Sequence, residues 1–128
     1  MKVVSLRGRV FSGKGEGAKY VSLDWAKRQM KEKLGFDPYP GTLDIRLCAV
    51  SLKNKRLLMK SSGLEITPAT GYYPGKLFRA TIGNVTCAIV IPEVPGYSEE
   101  IIEVIAPTDL RRTLCLADDN MIEVQVTF

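Results

Sequence analysis

The stretch Lys76–Ile91, "KLFRATIGNVTCAIVI", decides how the chain folds. Two runs rich in β-branched and aromatic residues flank Gly83-Asn84, and such a pair between such runs predicts a two-residue β-hairpin turn. Toward the N-terminus, "TLDIRL" (Thr42–Leu47) alternates strictly, with Leu43, Ile45 and Leu47 on one face and Thr42, Asp44 and Arg46 on the other. The preceding "FDPYPG" (Phe36–Gly41) holds two prolines and a glycine, which make it a rigid turn. Val3–Phe11 reads as a strand that stops at "SGKGEG" (Ser12–Gly17), and "AKYVSL" (Ala18–Leu23) reads as its hairpin partner. Toward the C-terminus, the proline-bounded loop "PEVPGYSEE" (Pro92–Glu100) leads into a short buried strand, "IIEVIAP" (Ile101–Pro107). Met121–Phe128 reads as a further strand with Ile122, Val124, Val126 and Phe128 inward.

Helix is sparse. Asp24 is expected to cap "WAKRQMKEKL" (Trp25–Leu34), Gly35 to stop it in the left-handed region, and Ala26, Met30 and Leu34 to form its apolar face. Pro107 is expected in the first turn of a brief helix through "TDLRRTL", and Asp118–Asn120 in a turn. Between Cys48 and Tyr73 only one or two short strands around "GLEITP" are expected. Many short strands with turn signals and little helix predict a mainly β fold, a small β-barrel with a covering helix, as one domain over residues 1–128.

Composition narrows the chemistry. Histidine is absent from the 128 residues, which removes imidazole bases, Ser-His triads and His-based metal sites. Catalysis would have to use carboxylates, lysines, hydroxyls, backbone groups or a hard metal on oxygen ligands. The three cysteines, Cys48, Cys87 and Cys115, are far apart and odd in number, and read as reduced cytosolic thiols serving as small core residues. No apolar run approaches the roughly 18 residues a membrane span needs, and the N-terminus lacks a signal-peptide pattern. A net charge of +4 with scattered basic residues suits an anionic ligand or a solvated surface equally. The thin aromatic content of the loops argues against a nucleic-acid stacking platform.

Four places are candidates for chemistry. In the glycine segment, Gly13, Gly15 and Gly17 permit close backbone approach and positive φ, so successive N–H groups could face one oxyanion with Lys14 nearby; a plain hairpin loop is the alternative. Thr42 and Asp44, two apart on a strand, project to one face and form a partial oxygen shell for Mg²⁺, or simply a polar strand face. Glu103 lies between Ile102 and Val104, where burial would raise its pKa as a general base requires; the alternative is a carboxylate facing water. In "APTDLRR", the start of a short helix with Asp109 in its first turn could receive an anion or a ligand carbonyl.

Taken together and in order, "SGKGEG", "LGFDPYPGTLDIRL", "AIVIP" and "EEIIEVIAPTDLR" resemble the archaeal CTP-dependent riboflavin kinases over nearly the whole chain. The resemblance implies a six-stranded cradle-loop barrel that transfers the γ-phosphoryl of CTP to the 5′-hydroxyl of riboflavin, giving FMN and CDP. By position it implies that Gly13, Lys14, Gly15, Glu16, Gly17 and Ala18 hold the nucleotide phosphates, and that Thr108, Asp109, Leu110 and Arg111 contact CTP. It implies Mg²⁺ on Thr42 and Asp44, with Glu103 and the position of Pro95 at the flavin. The family pattern has Asn at the position of Asp44 and Thr at that of Pro95, which leaves Tyr97 or Ser98 for the missing flavin contact. The expected protein is a cytoplasmic monomer without an N-terminal helix-turn-helix domain and without a nucleic-acid or membrane partner. A non-catalytic barrel that senses a nucleotide or a flavin is the alternative.

Overall fold

The computed structural model describes residues 2–128. Its elements in chain order are β1 (Val3–Phe11), α1 (Glu16–Ser22), α2 (Asp24–Leu34), β2 (Leu43–Leu47), α3 (Ala49–Lys60), β3 (Leu64–Ile66), β4 (Gly75–Ile82), β5 (Val85–Pro92), β6 (Ile101–Ile105), α4 (Leu110–Thr113) and β7 (Met121–Thr127). The hairpin stands as expected: β4 and β5 pair from Gly75↔Pro92 to Ile82↔Val85 around Gly83, whose φ is 57°. Six antiparallel strands run in the order β4-β5-β6-β2-β1-β7, and pairing of β4 with β7 closes them into a barrel. The same edge of β4 is shared, because its N-terminal residues Gly75–Leu77 pair with β3 instead. Closure pairs β4 with β7 over Arg79–Thr81 and leaves β3 as the outer strand of the sheet.

Alternation fills the barrel. Leu6, Val10, Ile45, Phe78, Ile89, Ile102, Val104, Val124 and Val126 point inward and are buried. A second cluster lies outside the sheet, where Val21, Ala26, Met30 and Leu34 of α1 and α2 cover Leu77, Ala88, Val90 and Ile105. Both faces of β5 are therefore covered, and Cys87–Ile91 is buried without interruption. Of the cysteines, Cys87 is buried, Cys48 is half-buried and Cys115 is exposed. No helix among the described residues is long and apolar enough to cross a membrane.

Four local expectations are corrected. Ala18–Leu23 is not a strand: Glu16–Ser22 is helix α1. Both edges of β1 are already occupied, by β2 and β7, so no hairpin partner can add there. Cys48–Tyr73 holds the twelve-residue α3 as well as β3. Its buried stripe is Ser51, Lys55 and Leu58, at helical spacing but with two polar members, and so it escapes a hydrophobic-periodicity reading. Pro107 precedes α4 rather than entering it, and Asp109 occupies the cap position. At α2, Leu23 takes the cap position and Asp24 the first turn, where its charge suits the helix dipole, while Gly35 (φ 82°) ends the helix as expected.

Candidate functional site

The glycine segment leaves β1 and turns at Gly15 (φ 81°) into α1. Two of its glycines are required by contact. A Cβ on Gly13 would overlap the Asp44 carboxylate, and one on Gly17 would overlap Thr42 Oγ1, Thr42 Cγ2 and Glu103 Oε1. Without side chains at these positions, the start of α1 lies directly on the side chains presented by β2 and β6. The segment thus closes on the protein's own side chains and leads into α1, not into a hairpin partner strand.

Those side chains form a chain of hydrogen bonds. Thr42 and Asp44 share a face as their spacing predicts, and Thr42 Oγ1 lies 2.9 Å from Asp44 Oδ1 and 3.4 Å from Glu103 Oε1. Tyr97 Oη donates to Glu103 Oε2 at 2.7 Å. Asp44 and Glu103 are direct partners across the β2–β6 pair. Like charges directly opposed on a sheet repel each other, so this pair asks for a proton or a cation. Burial pushes the Glu103 carboxyl above its ordinary 4.5, and the charge of Asp44 adds to the push, while the bonds from Tyr97 and Thr42 oppose it. Burial likewise raises Asp44, against hydrogen bonds from Thr42 and the Gly13 amide. Burial and then the Glu103 charge hold the Tyr97 hydroxyl well above its usual range.

Two clefts meet at these carboxylates. A polar one of about 180 Å³ is lined by Ser12, Gly13, Gly15, Ala18, Thr42, Asp44 and Arg111 among others. It adjoins a narrow recess of about 50 Å³ bounded by Tyr39, Thr42, Thr108, Asp109, Leu110 and Arg111. On the far side of α1 lies a larger, mainly apolar cleft of about 500 Å³ that includes Glu16, Gly17, Tyr20, Leu23, Tyr72, Val94, Tyr97 and Glu103. Tyr20, Trp25 and Tyr72 make an aromatic row beside it, with ring centroids 5.8 Å and 5.3 Å apart. The Tyr20 hydroxyl is buried without a hydrogen-bond partner among the described residues, and burial with the Glu103 charge pushes its pKa up to about 12. A mainly apolar cleft walled by aromatic rings suits a ligand with a flat hydrophobic body.

Nearly all the residues singled out in the sequence converge here. Arg111 is held by Phe11 O at 3.0 Å and Asp118 Oδ1 at 2.8 Å, which ties α4 to the end of β1. Leu110 is buried in the core and also lines the recess. Lys14 is exposed and lines none of these clefts. Pro95 is exposed at the corner of a turn with Gly96 at φ 82°, closed by Tyr97 N–H on Val94 O at 3.0 Å; the turn presents Val94 and Tyr97, not Pro95, to the apolar cleft. The aromatic row and the Tyr97–Glu103 bond escaped the sequence reading. Tyr20 sat on a misread strand, and Tyr72 is far from it in sequence.

No group of three or more His, Cys, Asp or Glu side chains among the described residues is placed to hold a metal ion. Thr42 and Asp44 nonetheless offer hard oxygen donors beside a repelling carboxylate pair, a donor set that fits Mg²⁺ when water and phosphate oxygens complete the shell.

Comparison with known proteins identifies the family. A family model named CTP-dep_RFKase, described as a domain of unknown function, DUF120, matches residues 10–126. The riboflavin kinase of Archaeoglobus fulgidus is 42% identical over 127 residues, 96% of this chain and 54% of that protein. That of Ignicoccus hospitalis is 43% identical over 129 residues, 98% of this chain and 72% of that protein. That of Methanosarcina barkeri is 33% identical over 130 residues, 98% of this chain and 58% of that protein. This chain thus spans between about half and three quarters of the length of these curated relatives. With the family model matching residues 10–126, the chain belongs to the CTP-dependent riboflavin kinase domain family.

Proposed function

We propose that the chain phosphorylates riboflavin to FMN with CTP as the donor. The observation that carries this reading is the position of Glu103. Its carboxylate stands where the polar cleft of the glycine segment meets the apolar aromatic cleft, within reach of both Thr42 and Tyr97. A phosphate donor in one cleft and a flat hydrophobic acceptor in the other would bring their reacting atoms together there.

In this reading the backbone amides of Gly13–Ala18 bind the CTP phosphates, with Lys14 adding charge from the solvent side. Thr108, Asp109 and Leu110, through backbone groups, and Arg111 border the recess that takes the cytosine. Thr42 and Asp44 would hold Mg²⁺, which supplies charge neutralisation on the phosphates when bound. Tyr20, Tyr72, Val94 and Tyr97 enclose the isoalloxazine ring, and the Pro95 turn sets the last two. Glu103, raised by burial and oriented by Tyr97, accepts the proton of the 5′-hydroxyl as its oxygen bonds to the γ-phosphorus. The bond from that phosphorus to the bridging oxygen breaks and CDP leaves. Positioning and charge neutralisation carry most of the acceleration in such transfers. An assay with Mg²⁺, riboflavin and each of CTP, ATP, GTP and UTP should yield FMN, fastest with CTP. No FMN with any nucleotide would refute the reading, and binding without turnover would make the barrel a sensor.

A further inference from the structure

The turn that carries the acceptor side of this site is held by a buried lysine on another element. Lys55 of α3 is 3% exposed. It takes part in none of the ion pairs among the described residues, which join Lys31–Asp37, Arg46–Glu100, Arg56–Glu99 and Arg111–Asp118. Its Nζ instead donates to the backbone oxygens of Ser98 (3.3 Å), Glu99 (2.9 Å) and Ile101 (2.9 Å). An ammonium has three protons, and all three are used on one turn. The remaining carbonyl of the series, Glu100 O, accepts from Leu47 N–H at 2.6 Å. Burying a cation is costly unless its donors are satisfied, so an arrangement this complete is a specific one.

The turn so held is the link from β5 to β6. Tyr97 precedes it and Glu103 follows two residues beyond it, and Lys55 Nζ also lies 5.7 Å from the centroid of the Tyr97 ring. Tyr97, Val94 and Pro92 form a wall between the aromatic cleft and a second cleft of about 330 Å³ that Lys55 itself borders. The wall thus has a cleft on each side, and Lys55 grips the turn at its base. The glycine segment, Thr42 and Asp44 make no hydrogen bond with α3 among the described residues.

We infer that Lys55 is a positioning residue for the acceptor. By clamping Ser98–Ile101 it keeps the Tyr97 hydroxyl on Glu103 and the Tyr97 ring against the bound flavin, and it leaves the nucleotide side of the site untouched. This rests on the riboflavin reading of the aromatic cleft.

The test compares K55M, K55Q and K55R with the wild-type protein in three measurements: riboflavin binding by quenching of flavin fluorescence, CTP binding by calorimetry, and amide hydrogen exchange of the ligand-free protein. K55M is expected to weaken riboflavin at least tenfold and to raise its KM more than it lowers kcat. CTP should stay within twofold, and K55R should recover riboflavin binding to within threefold of wild type. Amides of residues 97–103 should exchange at least tenfold faster in K55M, with those of residues 13–18 unchanged. Unaltered riboflavin binding in folded K55M, or equal losses for both ligands, would overturn the inference. If K55M does not fold, K55Q against K55R decides by the same comparison. If the wild-type protein binds no riboflavin, the functional reading fails, and exchange alone then decides whether Lys55 holds the turn.

Discussion

Replacing Gly17 by alanine tests the contact on which the site is built. In an ordinary helix that exchange is favourable by about 0.5–1 kcal/mol, because glycine gives up more freedom on folding. Here the new methyl would overlap Thr42 Oγ1, Thr42 Cγ2 and Glu103 Oε1 together. Thr42 cannot escape by rotation, since both of its γ atoms are in the way. Glu103 can move only by stretching its bond from Tyr97. Overpacking of this kind costs about 1–3 kcal/mol, which leaves a net loss near 1 kcal/mol and lowers Tm by about 4 °C. A shift of about 1 Å at the reacting groups reduces kcat/KM by about 100-fold. The matched control is G83A in the β4–β5 turn, where φ is 57° and the space around a Cβ is open. There left-handed strain costs about 1–2 kcal/mol, so Tm should fall by a similar amount with kcat/KM unchanged. FMN formation and thermal melts on both variants read the two effects separately. G17A with full activity and a raised Tm would refute the account of α1 lying on Thr42 and Glu103.

The remaining predictions concern charge. E103Q keeps an acceptor for Tyr97 but cannot take a proton, so kcat should fall about 10²–10⁴-fold while CTP still binds, as kinetics and calorimetry would read. The folded state raises the Glu103 carboxyl above 4.5 and so holds its proton more tightly than the unfolded chain does. That contribution to stability is present below 4.5 and is lost as pH rises through the folded value. Thermal melts across that window should therefore show a smaller decline in E103Q than in the wild-type protein, and an equal decline would exclude Glu103 as its source. Y97F removes a bond that lowers Glu103, and D44N removes a charge that raises it. The acid limb of the kcat/KM profile should accordingly move to higher pH in Y97F and to lower pH in D44N; movement in one common direction would contradict this electrostatic arrangement.

What could be read in advance depended on whether a signal was local. The β4–β5 hairpin was legible because Gly83 and the flanking β-branched runs act within a few residues of each other. The shared face of Thr42 and Asp44 followed from the two-residue strand period alone. Helix α1 was not legible, because the edges of β1 are filled by strands that come later in the chain, β2 and β7. Helix α3 was concealed by Ser51 and Lys55, whose buried polar groups are satisfied by the Arg7 amide and by the Ser98–Ile101 turn. Residue spacing alone could not pair Asp44 with Glu103, since that register is set by how the barrel closes. The aromatic row of Tyr20, Trp25 and Tyr72 joins a helix start to a distant loop, and no period in the sequence marks it.

The central claim is that phosphate donor and flavin acceptor meet at one carboxylate. A crystal structure of the chain with riboflavin, CDP and Mg²⁺ measures this directly. The expected result is the ribityl 5′-oxygen about 2.6–3.2 Å from a Glu103 carboxylate oxygen, with the CDP phosphates on the Gly13–Ala18 amides and the ring between Tyr20 and Tyr97. Riboflavin bound elsewhere, or its 5′-oxygen turned away from Glu103 toward solvent, would contradict it.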